Sequence, residues 1–305
     1  MYLRVSLTDR CNLRCTYCLD EDVHFAPERL ASSELQRLIA AVTAAAGVHK
    51  IRLTGGEPTL NPDLPAFVRA ARWLVPTVGL TTNGVLLEPL LPELREAGLT
   101  KLNISLDAAD AEGFARFTRR DRFAAVLSAM RAARRLGFAP LKINAVATTE
   151  TDAPALVRFA LAEGVHLRFI ELMDIGVVHG RWEQRYRSSA SLIEAITSAG
   201  ITLSAEPERD DPTSRVHTIS GIDPATSTVG FITTVSDPFC ATCDRIRLTS
   251  LGRLHTCLFD NVGTDLVGFL RREDEAGLFA AIRAAVAAKV PAGNQREGVM
   301  ASIGG

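Results

Sequence analysis

Residues 11–18 read Cys11-Asn12-Leu13-Arg14-Cys15-Thr16-Tyr17-Cys18, three cysteines spaced C-x3-C-x2-C immediately after an apolar run over residues 3–7. Thiolates this close together converge on one inorganic centre. A four-iron cluster held entirely by protein takes four cysteines, so a set of three leaves one iron free to bind something else, and chemistry can occur there. A structural zinc site is the plainer alternative. It completes four Cys or His ligands, often as two C-x2-C pairs, and His24 stands outside any such pairing.

Around this stretch the chain reads as a large globular protein. With 305 residues and 47% hydrophobic content it can bury a real core, as one large domain or about two ordinary ones. Lys+Arg total 34 against 35 Asp+Glu, a formal charge of −1. No bulk field therefore draws the chain to nucleic acid or membrane, and any bound anion has to be met by locally placed bases. Arg4, Asp9, Arg10 and Arg14 interrupt the first apolar positions, so no signal peptide is expected. No apolar run approaches the ~20 residues of a membrane span, and the expected location is the cytoplasm. The six cysteines fall in two groups of three, the second being Cys240-Ala241-Thr242-Cys243 and, after thirteen intervening residues, Cys257. Two tight triplets read as metal ligands rather than as a disulfide scaffold.

From residue 3 to about residue 170, short β-branched or apolar runs alternate with longer Ala/Leu-rich amphipathic ones, the βα pattern of a parallel sheet or barrel. Strands are expected over 3–7, 50–53, 78–81, 101–105, 141–146 and 167–171, and helices over 64–74, 87–97, 123–136 and 153–163. Ser33-Glu34-Leu35-Gln36 reads as a capping box opening a further helix that Gly47 ends. Gly98, Gly137 and Gly164 read as C-caps. After Gly176 the rhythm breaks. Residues 188–199 look helical, 206–220 with Pro207 and Pro212 are expected to loop over the barrel, 229–235 resume a strand, and an Ala-rich helix runs from 279 to Pro291. The expected fold is α/β: a partial, open (β/α)6 barrel over 1–228, with 229–305 as a C-terminal region that carries the second cysteine group and closes the barrel.

In a βα barrel the strand ends and the loops after them form the active face. The first cysteine loop follows the first strand, and Leu53-Thr54-Gly55-Gly56-Glu57-Pro58 follows the second. The glycine pair lets backbone come close to a ligand, and the Glu57 carboxylate is suited to receive an ammonium. Basic residues fall on the strands as well. Lys50 and Arg52 share a face by the period of two, as do Arg245 and Arg247 if extended, and Arg4, Lys142 and Arg168 lie in expected strands. A charge facing a barrel interior is costly unless it is paired. Several inward cations therefore predict a multiply charged anion, and arginine's fork suits phosphate. The alternative is that these side chains snorkel outward or pair with Asp and Glu.

C-x3-C-x2-C after strand one together with Gly-Gly-Glu-Pro after strand two resembles the radical S-adenosylmethionine (SAM) superfamily. The resemblance implies a TIM-type partial barrel and a [4Fe–4S] cluster on Cys11, Cys15 and Cys18. SAM would chelate the fourth iron and be cleaved there to methionine and a 5'-deoxyadenosyl radical, with Tyr17, Gly56, Ser105 and Met173 against it. Phe239-Cys240-Ala241-Thr242-Cys243-Asp244-Arg245-Ile246-Arg247-Leu248, then Gly252 and Cys257-Leu258-Phe259, is similar to the GTP 3',8-cyclase family, known also as molybdenum cofactor biosynthesis protein A. So are Leu80-Thr81-Thr82-Asn83-Gly84, Asn103-Ile104-Ser105-Leu106-Asp107 and Arg168-Phe169-Ile170-Glu171-Leu172-Met173-Asp174.

For that family the implied reaction converts GTP to 3',8-cyclo-7,8-dihydro-GTP, with hydrogen taken from ribose C3' and attack on guanine C8. A second [4Fe–4S] cluster on Cys240, Cys243 and Cys257 would meet the guanine. Arg4, Arg52, Thr81, Lys142, Arg245 and Arg247 would hold GTP, Lys50 and Arg168 would lie close by, and Gly304 and Gly305 would enter the site. The implied partners are an electron donor such as flavodoxin or ferredoxin, a downstream cyclic pyranopterin monophosphate synthase and a second copy of the chain as a homodimer, without nucleic acid or membrane.

Three departures from the family pattern stand out. Leu19-Asp20-Glu21 replaces the usual Met-Pro, Thr59-Leu60-Asn61-Pro62 replaces two basic residues, and the chain starts almost at its first strand. They leave open a paralogue acting on another nucleotide, beside a radical SAM peptide-modifying enzyme with an auxiliary cluster. A non-catalytic iron–sulfur carrier would have no use for Gly-Gly-Glu-Pro.

Overall fold

The computed structural model describes residues 1–23, 25, 30–204, 208–211 and 213–289. Strands β1 (Tyr2–Ser6), β2 (Lys50–Thr54), β3 (Thr77–Thr82), β4 (Lys101–Ser105), β5 (Lys142–Ala147) and β6 (His166–Glu171) lie side by side in chain order, each parallel to the next. All six agree with the expected runs to within one residue at each end. Parallel neighbours need a crossover, and helices Ser32–Ala46, Leu64–Leu74, Leu91–Glu96, Phe123–Arg135 and Ala153–Glu163 supply it. The period of two then sorts the side chains. Leu3, Val5, Ile51, Leu53, Leu80, Leu102, Ile104, Ile143 and Leu167 are buried in the apolar core with the helices, which leaves the alternate residues for the concave side.

Several local expectations need correction. The helix expected over 87–97 begins only at Leu91, after a 3-10 turn Glu88–Leu90, and each piece carries a proline in its first turn, where the missing N–H is harmless. Helix Ala111–Thr118 was not expected; the Asp110 side chain caps it by accepting from Gly113 N. Ser33 is not a cap. The cap position is Ala31, Glu34 reaches back to accept from Ala31 N at 3.0 Å, and the Ser32 hydroxyl donates to Asp63 instead. Gly47 does end that helix, in the left-handed region at φ 60°.

The second half of the chain lengthens the sheet at both edges. Region 206–220 is more than a loop: β7 (Glu208–Asp211) and β8 (Ser214–His217) form an antiparallel hairpin on β9 (Val229–Ile232), which pairs parallel to β6, while Thr213 accepts from Arg245 at the opposite edge of the sheet, so the segment does reach across the barrel. At the far edge β10 (Arg245–Leu248) pairs parallel to β1, followed outward by β11 (Arg253–His255) and β12 (Thr264–Asp265). The last described helix, Glu275–Ala287, starts earlier than expected and packs on Ser32–Ala46.

Gly55 and Gly56 admit a close approach, and what approaches is the chain's own backbone. Gly56 N donates to Thr8 O and Glu57 N to Arg10 O, both at 2.7 Å. A Cβ on Gly56 would fall far inside van der Waals contact with Arg10 O and Asp9 O. The turn after β2 thus presses directly on the residues that lead into Cys11. Gly56→Ala is expected to displace that segment and cost about 1–3 kcal/mol, seen as a lower Tm in thermal unfolding; an unchanged Tm would show that the segment yields freely.

Candidate active site

The concave faces and ends of β1–β6, together with β10 and the segments around it, enclose a cavity of about 910 Å³. All six cysteines line it, and so do Tyr17, Gly56, Ser105, Met173, Arg4, Lys50, Arg52, Thr81, Lys142, Arg168, Arg245 and Arg247. Gly304, Gly305 and His24 lie outside the described residues.

The first cysteine loop is anchored along its length. Arg14 N and Thr16 N donate to Thr118 O and Phe117 O, and Leu13 N points at Cys11 Sγ, 3.4 Å away. Tyr17 Oη donates to Asp107 at 2.7 Å, whose other oxygen accepts from Val146 N. Burial pushes the Cys11 thiol up to about 11 and the Cys18 thiol up to about 12, the latter helped by the neighbouring Cys11 and Asp107. Thiols held this way become thiolates only against a cationic centre. In the second group Phe259 N donates to Cys257 Sγ at 3.5 Å, and the Cys240 thiol is raised by burial and then by Cys257 and Cys243. Among the described residues no three His, Cys, Asp or Glu side chains close around a single metal ion. Two sets of three soft sulfur donors, each with a backbone N–H on one sulfur and a shared cavity in front, fit four-iron clusters with one iron left open.

Between the triplets the wall is basic. Register places Arg4 beside Arg52 on one side and Arg247 on the other, and Tyr2 beside Lys50 and Arg245. Arg52 donates to Leu80 O, Thr81 Oγ1 and the Tyr2 hydroxyl, and Arg245 donates to Thr213 Oγ1. The Leu80 carbonyl and the two threonine hydroxyls orient a guanidinium without cancelling its charge. Gly79 on β3 makes room for Arg52, since a Cβ there would run into the guanidinium, and a Cβ at Gly230 on β9 would run into Ser214 Oγ and crowd the stem of Arg168. Asn144 accepts from Arg168 Nε at 3.0 Å, and Asn103, with its amide oxygen turned inward, accepts from Arg168 Nη2 at 2.6 Å. Burial, and then Arg245 and Arg52, bring Arg4 down to about 10; burial with Arg4 and Arg245 puts Arg247 well below its ordinary value. Crowding of this kind calls for a polyanion.

Comparison with known proteins agrees with this geometry. Residues 5–160 match the Radical SAM superfamily and 165–294 match Molybdenum Cofactor Synthesis C. The GTP 3',8-cyclase of Rhodococcus opacus (strain B4) is 42% identical over 276 residues, covering 88% of this chain and 78% of that protein. The chain belongs to the GTP 3',8-cyclase family. The family's member from Mycolicibacterium smegmatis is 40% identical over 302 residues, covering 96% of this chain and 83% of its own. Among solved structures, Streptococcus suis SuiB bound to the precursor peptide SuiA superposes with a TM-score of 0.62 at 15% identity, over 93% of this chain and 66% of that one, a likeness of fold.

In this cyclase-family chain Glu57 does not wait for an ammonium. Its carboxylate is buried and accepts from Thr59 N, Thr59 Oγ1, Thr82 Oγ1 and Asn83 N, which ties the turn after β2 to the end of β3. The departing residues serve the same turn, Thr59 through Glu57 and Asn61 by donating to Leu7 O and accepting from Asp63 N. Leu19, at the other departure, is buried against the cavity.

Three positioning groups escape a reading of the sequence because their partners are distant in it. Arg185 donates to Thr16 O, Thr16 Oγ1 and Glu150, clamping the loop between Cys15 and Cys18. Asp107 holds Tyr17, and its place at the end of β4 was the one available signal. Glu171, at the end of β6, accepts from Ser189 N, Val235 N, Ser236 N and Ser236 Oγ, fastening the segment that leads to Cys240. Burial works to raise the Glu171 pKa, but donors from Ser236, Ser189 and Val235 outweigh it and hold the carboxyl below its ordinary 4.5. Its stabilisation is therefore full at neutral pH and fades only as pH falls below that value. Glu171→Gln is expected to cost about 1.5–3 kcal/mol at pH 7. In denaturant titrations the gap to wild type should narrow only below about pH 4.5; a constant gap down to pH 3 would rule out the carboxylate's role.

Proposed function

We propose that this chain is a GTP 3',8-cyclase, converting GTP to 3',8-cyclo-7,8-dihydro-GTP in molybdenum cofactor biosynthesis. The observation that carries this reading is two three-cysteine groups lining one cavity whose wall gathers eight basic side chains, Arg4, Lys50, Arg52, Lys101, Lys142, Arg168, Arg245 and Arg247. When bound, the first cluster with SAM supplies the hydrogen-abstracting reagent for ribose C3', and the second cluster supplies an open iron for the guanine.

The chain's own part is placement. Cys11, Cys15 and Cys18 hold the first cluster and Cys240, Cys243 and Cys257 the second. Tyr17, Gly56, Ser105 and Met173 seat SAM, with Tyr17 fixed through Asp107. Arg4, Arg52, Thr81, Lys142, Arg245 and Arg247 hold GTP, with Lys50 and Arg168 adding charge. Helices and apolar strand faces keep bulk water from the outer wall, so the fixed cations act at low dielectric.

The boundary between residues 228 and 229 belongs to the same proposal, supported by β9 and β10, which lie beyond it and pair with β6 and β1 at opposite edges. So do a one-electron donor of flavodoxin or ferredoxin type, a downstream cyclic pyranopterin monophosphate synthase, a homodimer and a cytoplasmic setting. Among the described residues no helix is long and apolar enough to cross a membrane.

Anaerobic reconstitution should yield about eight irons per chain and, with GTP, SAM and a reductant, a cyclised nucleotide by mass spectrometry. SAM cleavage without any nucleotide product would end the GTP reading. Cys11→Ala is expected to abolish SAM cleavage, whereas Cys257→Ala should keep uncoupled cleavage and lose the cyclised product; normal cyclisation by the latter would remove the second cluster from guanine binding. Arg245→Ala should weaken GTP binding by about 1.5–3 kcal/mol in an equilibrium titration, and unchanged affinity would take Arg245 out of the site.

A further inference from the structure

Tyr2 lines the same cavity as the arginines, and only 8% of it is exposed. Cations surround it from every neighbouring strand. Lys50 of β2 and Arg245 of β10 stand opposite it in register, with Lys50 Nζ 4.5 Å and Arg245 Cζ 5.9 Å from the ring centroid. Arg52 Nε donates to the hydroxyl oxygen at 2.6 Å, and Arg4, further along β1, hydrogen-bonds the same side chain. Two titratable groups just outside this ring, Asp244 and His49, face each other at 3.8 Å. A neutral phenol can accept such donors, but donors and cations gathered on a buried hydroxyl favour its ionised form. Arginine does not give up a proton readily. Among the described residues the phenol is the acidic group that meets all four cations, with Arg52 and Arg4 bonding it directly.

We propose that Tyr2 is the charge-balancing group of the polyanion pocket: its hydroxyl proton leaves when no triphosphate is present and returns when a triphosphate takes over the cations. The proposal rests on the GTP reading for its natural ligand. Burial by itself would raise the phenol, but Arg52, Arg4, Arg245 and Lys50 together bring it from 10.0 down to about 7. A phosphate chain placed among the same four side chains cancels their pull and restores the neutral form. Binding then consumes a proton above pH 7, and affinity falls as pH rises, by up to about tenfold per pH unit for one proton.

The test uses the holoenzyme under anaerobic conditions without SAM, so that no turnover occurs. GTP binding is followed calorimetrically between pH 7 and pH 8.5 in buffers of different ionisation enthalpy, for wild type and Tyr2→Phe. At pH 8 the phosphates are already ionised, so proton uptake has to come from the protein. The wild type is expected to take up close to one proton more than Tyr2→Phe, and its Kd to rise with pH up to tenfold per unit more steeply. Fluorotyrosine at position 2, a more acidic phenol that preserves the ring, should move the midpoint of the profile to lower pH. Equal proton counts and equal slopes in wild type and Tyr2→Phe, or a midpoint that fluorotyrosine leaves in place, would overturn the role of Tyr2. If GTP binds to none of the proteins at any pH, the substrate reading fails; the same titrations with inorganic tripolyphosphate then decide on Tyr2 alone.

Discussion

Positive charge held inside a barrel is the constraint on which the rest of this structure turns. A βα barrel is ordinarily stabilised by apolar side chains on both faces of its strands, and here the outer face is continuously apolar, as Leu3, Val5, Ile51, Leu53, Ile143 and Leu167 show, while the inner face is not. The inner face alternates with it and carries Arg4, Arg52, Lys142 and Arg168. Such an interior cannot collapse onto itself, so it stays open as a cavity. Its guanidiniums need orienting groups that leave their charge intact, which is what Leu80 O, Thr81, Thr213, Asn103 and Asn144 provide. The glycine at 79 follows from the same requirement, since a side chain there would occupy the space that Arg52 needs.

The second constraint is that two cysteine groups from opposite ends of the chain face one chamber, and each has its own fastening. Arg185 reaches from beyond β6 to the loop between Cys15 and Cys18, while Glu171 holds the segment before Cys240. Both fastenings belong to the segment from Glu171 to Ser189, whose ends meet where Ser189 N donates to Glu171. Displacement of that region would disturb the two sulfur sets together rather than one alone. The close backbone contact between residues 8–10 and the Gly55-Gly56 turn adds a third hold, on the first loop only.

Much of the fold was legible because its signals are local. Alternation of short apolar runs with amphipathic stretches located β1–β6 to within a residue, and the cysteine spacing identified the two triplets that the structure brings to one cavity. The parts that were not legible depend on partners far away in the sequence. Nothing in 206–220 shows that it can extend an edge beyond β9, because the polar residues of a solvated edge strand resemble those of a loop. Glu57 looked like a ligand because a carboxylate after two glycines is free in the sequence; in the fold Thr59, Thr82 and Asn83 take both of its oxygens. Tyr2 carries no signal in the sequence, since its cationic neighbours come from three separate strands.

The pairing of β1 with β10 has a consequence for the order in which the molecule can be made. Strand β1 finds one of its two neighbours only after β10, far later in the chain, has been synthesised. Until then it presents an open edge that invites wrong partners. The β10 strand that covers this edge follows directly on Cys240 and Cys243, so completing the sheet and bringing the second sulfur set to the chamber are a single late event in assembly.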